Sequence, residues 1–242
     1  SHENILKLSL ELPKDNFYYF NFSGFSEPLL TNHLGELIEI LKLHHPSSRV
    51  ELNTNTDLIT PLKVKSLFKS GLNMIVCSIY DSEERLKEVK NILESCSLNS
   101  NQYELRPRYL RRNKDGENAL DEFGINLSNR GGMMENAKYS IPALKEPLAN
   151  PCYYPFYTIF IDYNGDYLLC PHDWGKLDLI GNVSTHHVID DIWMSERYEY
   201  VRERLLASDR SCSFACKVCD VPGTYMGIEQ VNQWKKMKKQ TN

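Results

Sequence analysis

A chain of 242 residues, 41% hydrophobic and 25% charged, is long enough for one large or two small cores and has the composition of a globular protein. Its net charge of −4 supplies no field that would draw nucleic acid or an anionic membrane, and no apolar run approaches the roughly 20 residues needed to span a bilayer. The seven cysteines are odd in number and not spaced as a disulfide framework, and no secretory pattern stands at the start, so a cytoplasmic setting with metal-bound thiolates is expected.

Ile5, Leu8 and Leu12 share one face of an opening helix that Pro13 ends. Phe17–Phe22 reads as an aromatic strand, with Ser23-Gly24-Phe25-Ser26-Glu27-Pro28 as the turn after it. Leu34, Leu37, Ile38 and Leu41 repeat at helical spacing until Pro46, and Val50–Thr54 is the next strand. Thr60-Pro61 caps a helix stopped by Gly71, Asn73–Ile79 is a buried strand, and Ser82 caps a helix with Leu86, Val89, Ile92 and Leu93 on one side. Tyr103–Leu110 and Ile125–Leu127 are the last strands of this half. Repeated strand–helix units predict a parallel sheet with helices outside it, open or curved into a barrel.

After Asn129-Arg130-Gly131-Gly132 the composition changes. Pro142, Pro147, Pro151 and Pro155 interrupt a polar connection, and the domain boundary is placed near residue 140, giving 1–140 and 141–242. Asn164-Gly165 predicts a tight turn between strands Tyr157–Tyr163 and Asp166–Cys170. Ile189–Leu206 reads as one helix, and Lys235, Lys236, Lys238 and Lys239 as the solvated face of a terminal helix. Cys152, Cys170, Cys216 and Cys219 are thiolates from separated segments that can complete a tetrahedral site for an iron–sulfur cluster or for zinc. Cys77 and Cys96 fall on apolar patterns, and with Trp174 and Trp193 they are assigned to the core.

Taken in order, the Gly24–Glu27 turn, Asn53-Thr54-Asn55 and Val76-Cys77-Ser78-Ile79 resemble the strand ends of radical S-adenosylmethionine enzymes. The resemblance implies that Gly24, Phe25, Ser26 and Glu27 meet the cofactor's ammonium group, that Thr54 and Asn55 contact its ribose, and that Ser78 faces it. Ser26 and Thr56 stand where glycine is the commoner residue. The later run Asp162-Tyr163-Asn164-Gly165-Asp166, Cys170-Pro171-His172-Asp173-Trp174, Ile180-Gly181-Asn182-Val183, Asp191-Ile192-Trp193 and Cys216-Lys217-Val218-Cys219-Asp220 resembles the auxiliary-cluster extension called the SPASM or twitch domain. On that resemblance Cys152, Cys170, Cys216 and Cys219 hold one 4Fe–4S cluster, with His172 and Asp173 beside it.

The implied fold is α/β: a partial parallel (β/α) barrel lacking its first strand, followed by a small α+β iron–sulfur domain. The family's Cys-x3-Cys-x2-Cys loop, which holds a second 4Fe–4S cluster and S-adenosylmethionine, is expected upstream of Ser1. Cys212-x3-Cys216-x2-Cys219 reproduces its spacing, but no repeating strand pattern follows, so Cys212 is read as a free thiol or alternative ligand. The implied activity is that of an oxidoreductase. A 5′-deoxyadenosyl radical removes hydrogen from a small polar, sugar- or aminocyclitol-like substrate, and the auxiliary cluster accepts an electron. Arg130 is the candidate catalytic residue at the substrate, with Arg106 and Arg108 lining the cavity or pairing outside it. A flavodoxin or ferredoxin is the expected electron donor. The alternatives are a peptide-modifying enzyme of the same family and a catalytically inactive, metal-stabilised binding module.

Overall fold

A computed structural model describes residues 1–108, 111–112, 118–119, 128–134 and 144–241. The chain forms two compact units, residues 1–126 and 127–242.

In the first unit four parallel strands run in the order β1 (Tyr19–Phe22), β2 (Arg49–Thr54), β3 (Met74–Ile79) and β4 (Tyr103–Pro107). Helix α1 (His2–Glu11) precedes β1, and α2 (Leu34–His44), α3 (Pro61–Lys69) and α4 (Glu83–Ser95) form the crossovers. The expected caps form: Thr60 Oγ1 accepts from Lys63 N at 3.2 Å and Ser82 Oγ from Arg85 N at 3.3 Å. Strand register sorts the sheet into two faces. Val50, Leu52, Ile75, Cys77 and Ile79 point into one hydrophobic core with Ile38 and Leu41 of α2, Val64 of α3, and Val89 and Leu93 of α4. The opposite face carries Asn21 beside Glu51, Asn53 beside Val76 and Glu104, and Ser78 beside Arg106. One face is therefore sealed by helices, and the other is polar enough to line a solvent-filled space. Because every strand is parallel, the segments after Phe22, Thr54 and Ile79 leave the sheet at one edge, the carboxyl edge where α/β sheets bind ligands. The expected strand Ile125–Leu127, and residues 109–110 of the one drawn from Tyr103, lie outside the described residues. A two-residue antiparallel pair, β5 (Arg111–Arg112) with β6 (Asn118–Ala119), completes this unit.

The second unit holds a three-stranded antiparallel sheet, β7 (Phe160–Ile161), β8 (Asp166–Leu168) and β9 (Leu179–Asn182). The hairpin strands are shorter than the alternation suggested. Asp162 draws the chain into the turn early, its Oδ1 accepting from Asn164 N at 2.8 Å and Asp166 N at 3.0 Å, and Gly165 closes it with φ +87°. The helix expected over Ile189–Leu206 is divided. A π-helical turn, Val188–Trp193, ends at Met194, and Ser195 starts α5 (Glu196–Leu206) afresh, its hydroxyl accepting from Tyr198 N. A five-residue helix, α6 (Phe214–Val218), carries Cys216, and α7 (Ile228–Thr241) ends the chain. Among the described residues no helix is long and apolar enough to cross a membrane.

Candidate functional site: a four-cysteine cavity and a carboxyl-edge turn cluster

Cys152, Cys170, Cys216 and Cys219 line one cavity in the second unit, together with Gly131, Tyr154, His172, Arg210, Ala215 and Val221. The four cysteines arrive on three differently anchored segments, Cys216 and Cys219 sharing one. Cys152 enters from the proline-rich stretch, with its N–H on Leu205 O at 3.3 Å, and Tyr153 N donates to Gly223 O at 2.8 Å. Cys170 ends the run after β8. The turn that follows is organised by Asp173, fully buried, whose two oxygens accept from Leu177 N and Asp178 N at 2.9 Å each. Cys216 sits on α6, where Ser213 Oγ accepts from its N–H at 3.1 Å. Asp178 fixes that helix start to the sheet, accepting from Ser213 Oγ at 2.5 Å, Ala215 N at 3.1 Å and Arg197 at 3.0 Å.

Burial pushes all four thiols above the usual range, Cys216 to about 12, and neighbouring sulfurs add to the rise at Cys170, Cys216 and Cys219. Four acids packed so closely and so dry do not ionise on their own, whereas a bound multivalent cationic centre deprotonates thiols outright. Among the described residues no three His, Cys, Asp or Glu side chains gather closely enough to hold a single metal ion. The four sulfurs stand around a space instead of on one point. A bare backbone face lines that space at Gly131, where a Cβ would meet His172 O at 2.8 Å. The donor set and its cradle fit a thiolate-ligated iron–sulfur cluster.

His172 lies in the cavity wall with Nε2 3.1 Å from Tyr154 OH, their rings edge to face at 5.1 Å. Burial, helped by the nearby Arg130 charge, lowers its pKa to about 4, so the ring is neutral at ordinary pH. Asn129 N donates to both oxygens of Asp220 at 2.9 Å, tying the Asn129–Gly132 turn to the residue after Cys219. Arg130 therefore belongs to a turn of the cysteine-bearing unit, with φ +52° and its guanidinium 4.6 Å from the Trp174 ring. Trp174 is not core as expected but 41% exposed beneath that guanidinium, while Cys77 and Cys96 are buried as expected. Cys212 is buried outside the cavity wall, its pKa raised to about 11 by burial and then by Asp209. Tyr154 and Arg210 were not singled out in the sequence. Nothing in their local pattern marks them, because their roles depend on segments distant in the chain.

In the first unit the other expected residues gather at the carboxyl edge. Glu27 is the hub, with Oε1 accepting from Leu29 N at 2.9 Å and from Thr54 Oγ1 at 2.8 Å, and Oε2 from Asn55 N at 2.7 Å. The carboxylate expected to meet an ammonium group thus also braces the loop after β1 against the end of β2. The Asn55 side chain closes a turn on Asp57, accepting from its N–H and donating to its carboxylate at 3.0 Å each. Gly24 has φ +104°, and Thr56, where glycine was expected, has φ +72° and is fully buried. Thr56 N donates to Thr54 Oγ1 at 3.0 Å, and Arg85 donates to its carbonyl. The backbone thus keeps the glycine conformation with a β-branched residue in it, held by bonds at both ends. Phe25 and Ser26 lie in the same loop, and Ser78 sits near the end of β3 on the polar sheet face beside Arg106, which pairs with Glu104 at 2.6 Å.

Comparison with known proteins bears on both units. The family model of the SPASM iron–sulfur cluster-binding domain matches residues 152–220. That match lies wholly within the C-terminal unit. Two solved structures of BtrN share the fold of nearly the whole chain. The complex of BtrN with AdoMet and 2-DOIA aligns with a TM-score of 0.67 at 20% identity, covering 91% of this chain and 78% of BtrN. BtrN in an open conformation aligns at 0.60 and 17%, covering 96% and 82%. The shared fold is an α/β parallel sheet followed by a small antiparallel one. The curated proteins contain no match to the chain.

Proposed function

We propose that the protein is a radical S-adenosylmethionine oxidoreductase that removes hydrogen from a small polar substrate of the sugar or aminocyclitol class. The observation that carries this reading is the meeting of Cys152, Cys170, Cys216 and Cys219 at one cavity within the SPASM match. The shared fold with BtrN, seen with AdoMet and 2-DOIA, supports it. When bound, S-adenosylmethionine with its reducing cluster would supply the radical chemistry of hydrogen abstraction, and a cluster held by the four cysteines would serve as an electron acceptor.

The chain's own residues bind, orient and shield. The four thiols would hold an auxiliary cluster, and ligation by all four would suit it to electron transfer more than to substrate binding. The Gly24–Glu27 turn would offer backbone carbonyls and a carboxylate to the cofactor's ammonium group, Thr54 and Asn55 would border its ribose, and Ser78 would face it. Glu27 keeps this turn rigid through its bonds to Leu29, Thr54 and Asn55. Arg130, stacked on Trp174, binds a substrate hydroxyl through its charged guanidinium, and the hydroxyl proton leaves to water as the alcohol becomes a ketone. A cytoplasmic flavodoxin or ferredoxin provides the electrons.

The test is anaerobic incubation of the full protein with AdoMet, a reductant and 2-DOIA or related polyols as probes, following 5′-deoxyadenosine by chromatography. Substrate-dependent 5′-deoxyadenosine, with loss of two hydrogens from the probe, is the expected result. Absence of 5′-deoxyadenosine from protein carrying its full iron complement contradicts the proposal.

A further inference from the structure

Arg210 is among the largest fully buried side chains of the molecule, 2% exposed, and it lies in the wall of the four-cysteine cavity. Its partners are all neutral oxygens. Nε donates to Asn150 O at 3.1 Å and Nη1 to Val221 O at 2.8 Å. Nη2 donates to Pro222 O at 2.5 Å, Asn150 Oδ1 at 3.1 Å and Pro151 O at 3.2 Å. Among the described residues no carboxylate pairs with it. The acceptors come from two places only: residues 150–151, directly before Cys152, and residues 221–222, directly after Cys219-Asp220.

Two features separate this group from an ordinary structural arginine. The segments it joins are already joined without it, through Asn150 Nδ2 to Pro222 O at 2.8 Å and Tyr153 N to Gly223 O at 2.8 Å. And a guanidinium removed from water with only dipoles around it lacks a counter-charge, a costly state unless an anion completes it. The space it faces is lined by four thiols, and a cluster held by four thiolates is net negative, more so once reduced.

We infer that Arg210 is the positioning residue of the auxiliary cluster, holding the Cys152 and Cys219 segments in register and supplying the buried positive charge that balances the thiolate-ligated core. This rests on the cluster reading above. Its consequence is electrochemical: a fixed positive charge beside the cluster favours the reduced form and raises the potential at which it accepts an electron.

Arg210→Gln keeps amide donors and loses the charge, whereas Arg210→Lys keeps the charge and loses the planar fork. The full protein and both variants are prepared anaerobically. Iron retention against a chelator and the midpoint potential are measured, following the paramagnetic signal that Cys170→Ala abolishes. Arg210→Gln is expected to lose iron about tenfold more readily and to show a lower potential. Arg210→Lys is expected to lose iron more readily too, at a potential close to wild type. An Arg210→Gln variant with wild-type retention and potential overturns the inference while leaving the cluster reading intact. If Arg210→Gln does not fold, Arg210→Lys decides: an unchanged potential supports the charge role, and a lowered one overturns it. A wild-type protein that takes up neither iron nor sulfide overturns the cluster reading, and the role of Arg210 with it.

Discussion

At Gly223 the backbone has φ +76°, and a Cβ would come within 2.3 Å of Cys152 Sγ and 3.0 Å of its Cβ. Gly223→Ala therefore meets both a left-handed backbone and the ligand side chain itself. It is expected to lower iron content and cost about 1–3 kcal/mol of stability, and unchanged iron and melting temperature would refute the close approach. Asp162 gives a second test, by pH. Burial alone would raise its pKa, but the Lys176 ammonium and the N–H groups of Asp166 and Asn164 outweigh that and hold it below the usual carboxylate range. A depressed folded pKa means stability that is present above the unfolded value of about 3.9 and lost as pH falls through the folded one. Asp162→Asn should thus be less stable than wild type by a constant margin from pH 7 to about 5, the gap closing below about 4; a gap that widens in acid would reverse the sign. At this scale the grouping of the four cysteines at one cavity was legible because thiolate chemistry restricts which residues ligate. Thr56 was legible only as a departure from glycine; its φ of +72° shows the backbone unchanged. Arg210 was not legible, since its acceptors, four backbone carbonyls and the Asn150 amide oxygen, lie about 60 residues back and about a dozen ahead.

The short helix α6 shows how an element too small to stand alone is held. Five residues make about one turn, so its start is fixed from outside, by Ser213 on Cys216 N and by buried Asp178 on Ser213 Oγ and Ala215 N. Asp178→Ala strands three donors at once, including Arg197. It is expected to cost about 2–4 kcal/mol and to weaken iron binding. A variant that melts normally and loads iron normally would show that Asp178 is not the link between sheet and ligand helix. The first-unit elements were legible because apolar spacing, caps and prolines agree, and their boundaries shift by only a few residues. The divided helix was not. Apolar residues continue through Val188, Ile192, Tyr198, Val201 and Leu205, all buried, so the pattern conceals the break. The π-helical turn inserts the phase change, and Ser195 becomes a cap only once the chain has turned there.

Across the whole molecule the two units are stabilised in different ways. The first encloses a continuous apolar cluster between a parallel sheet and its crossover helices. The second has three strands of two to four residues and a set of buried polar side chains, among them Asp162, Asp173, Asp178, Arg202 and Arg210. A unit with so little sheet gains from a staple, and a metal centre in the four-cysteine cavity would be one. The repeating strand–helix pattern made the first unit's class readable in the sequence. The second unit was read through its motifs, because its order comes from side-chain-to-backbone bonds that no periodicity reports. The central claim is that this cavity holds an iron–sulfur cluster. It is tested most directly by metal and acid-labile sulfide analysis of residues 1–242 purified without oxygen, beside Cys170→Ala. The account predicts about four iron and four sulfide per chain, lost in the variant. One zinc per chain with no sulfide would contradict it.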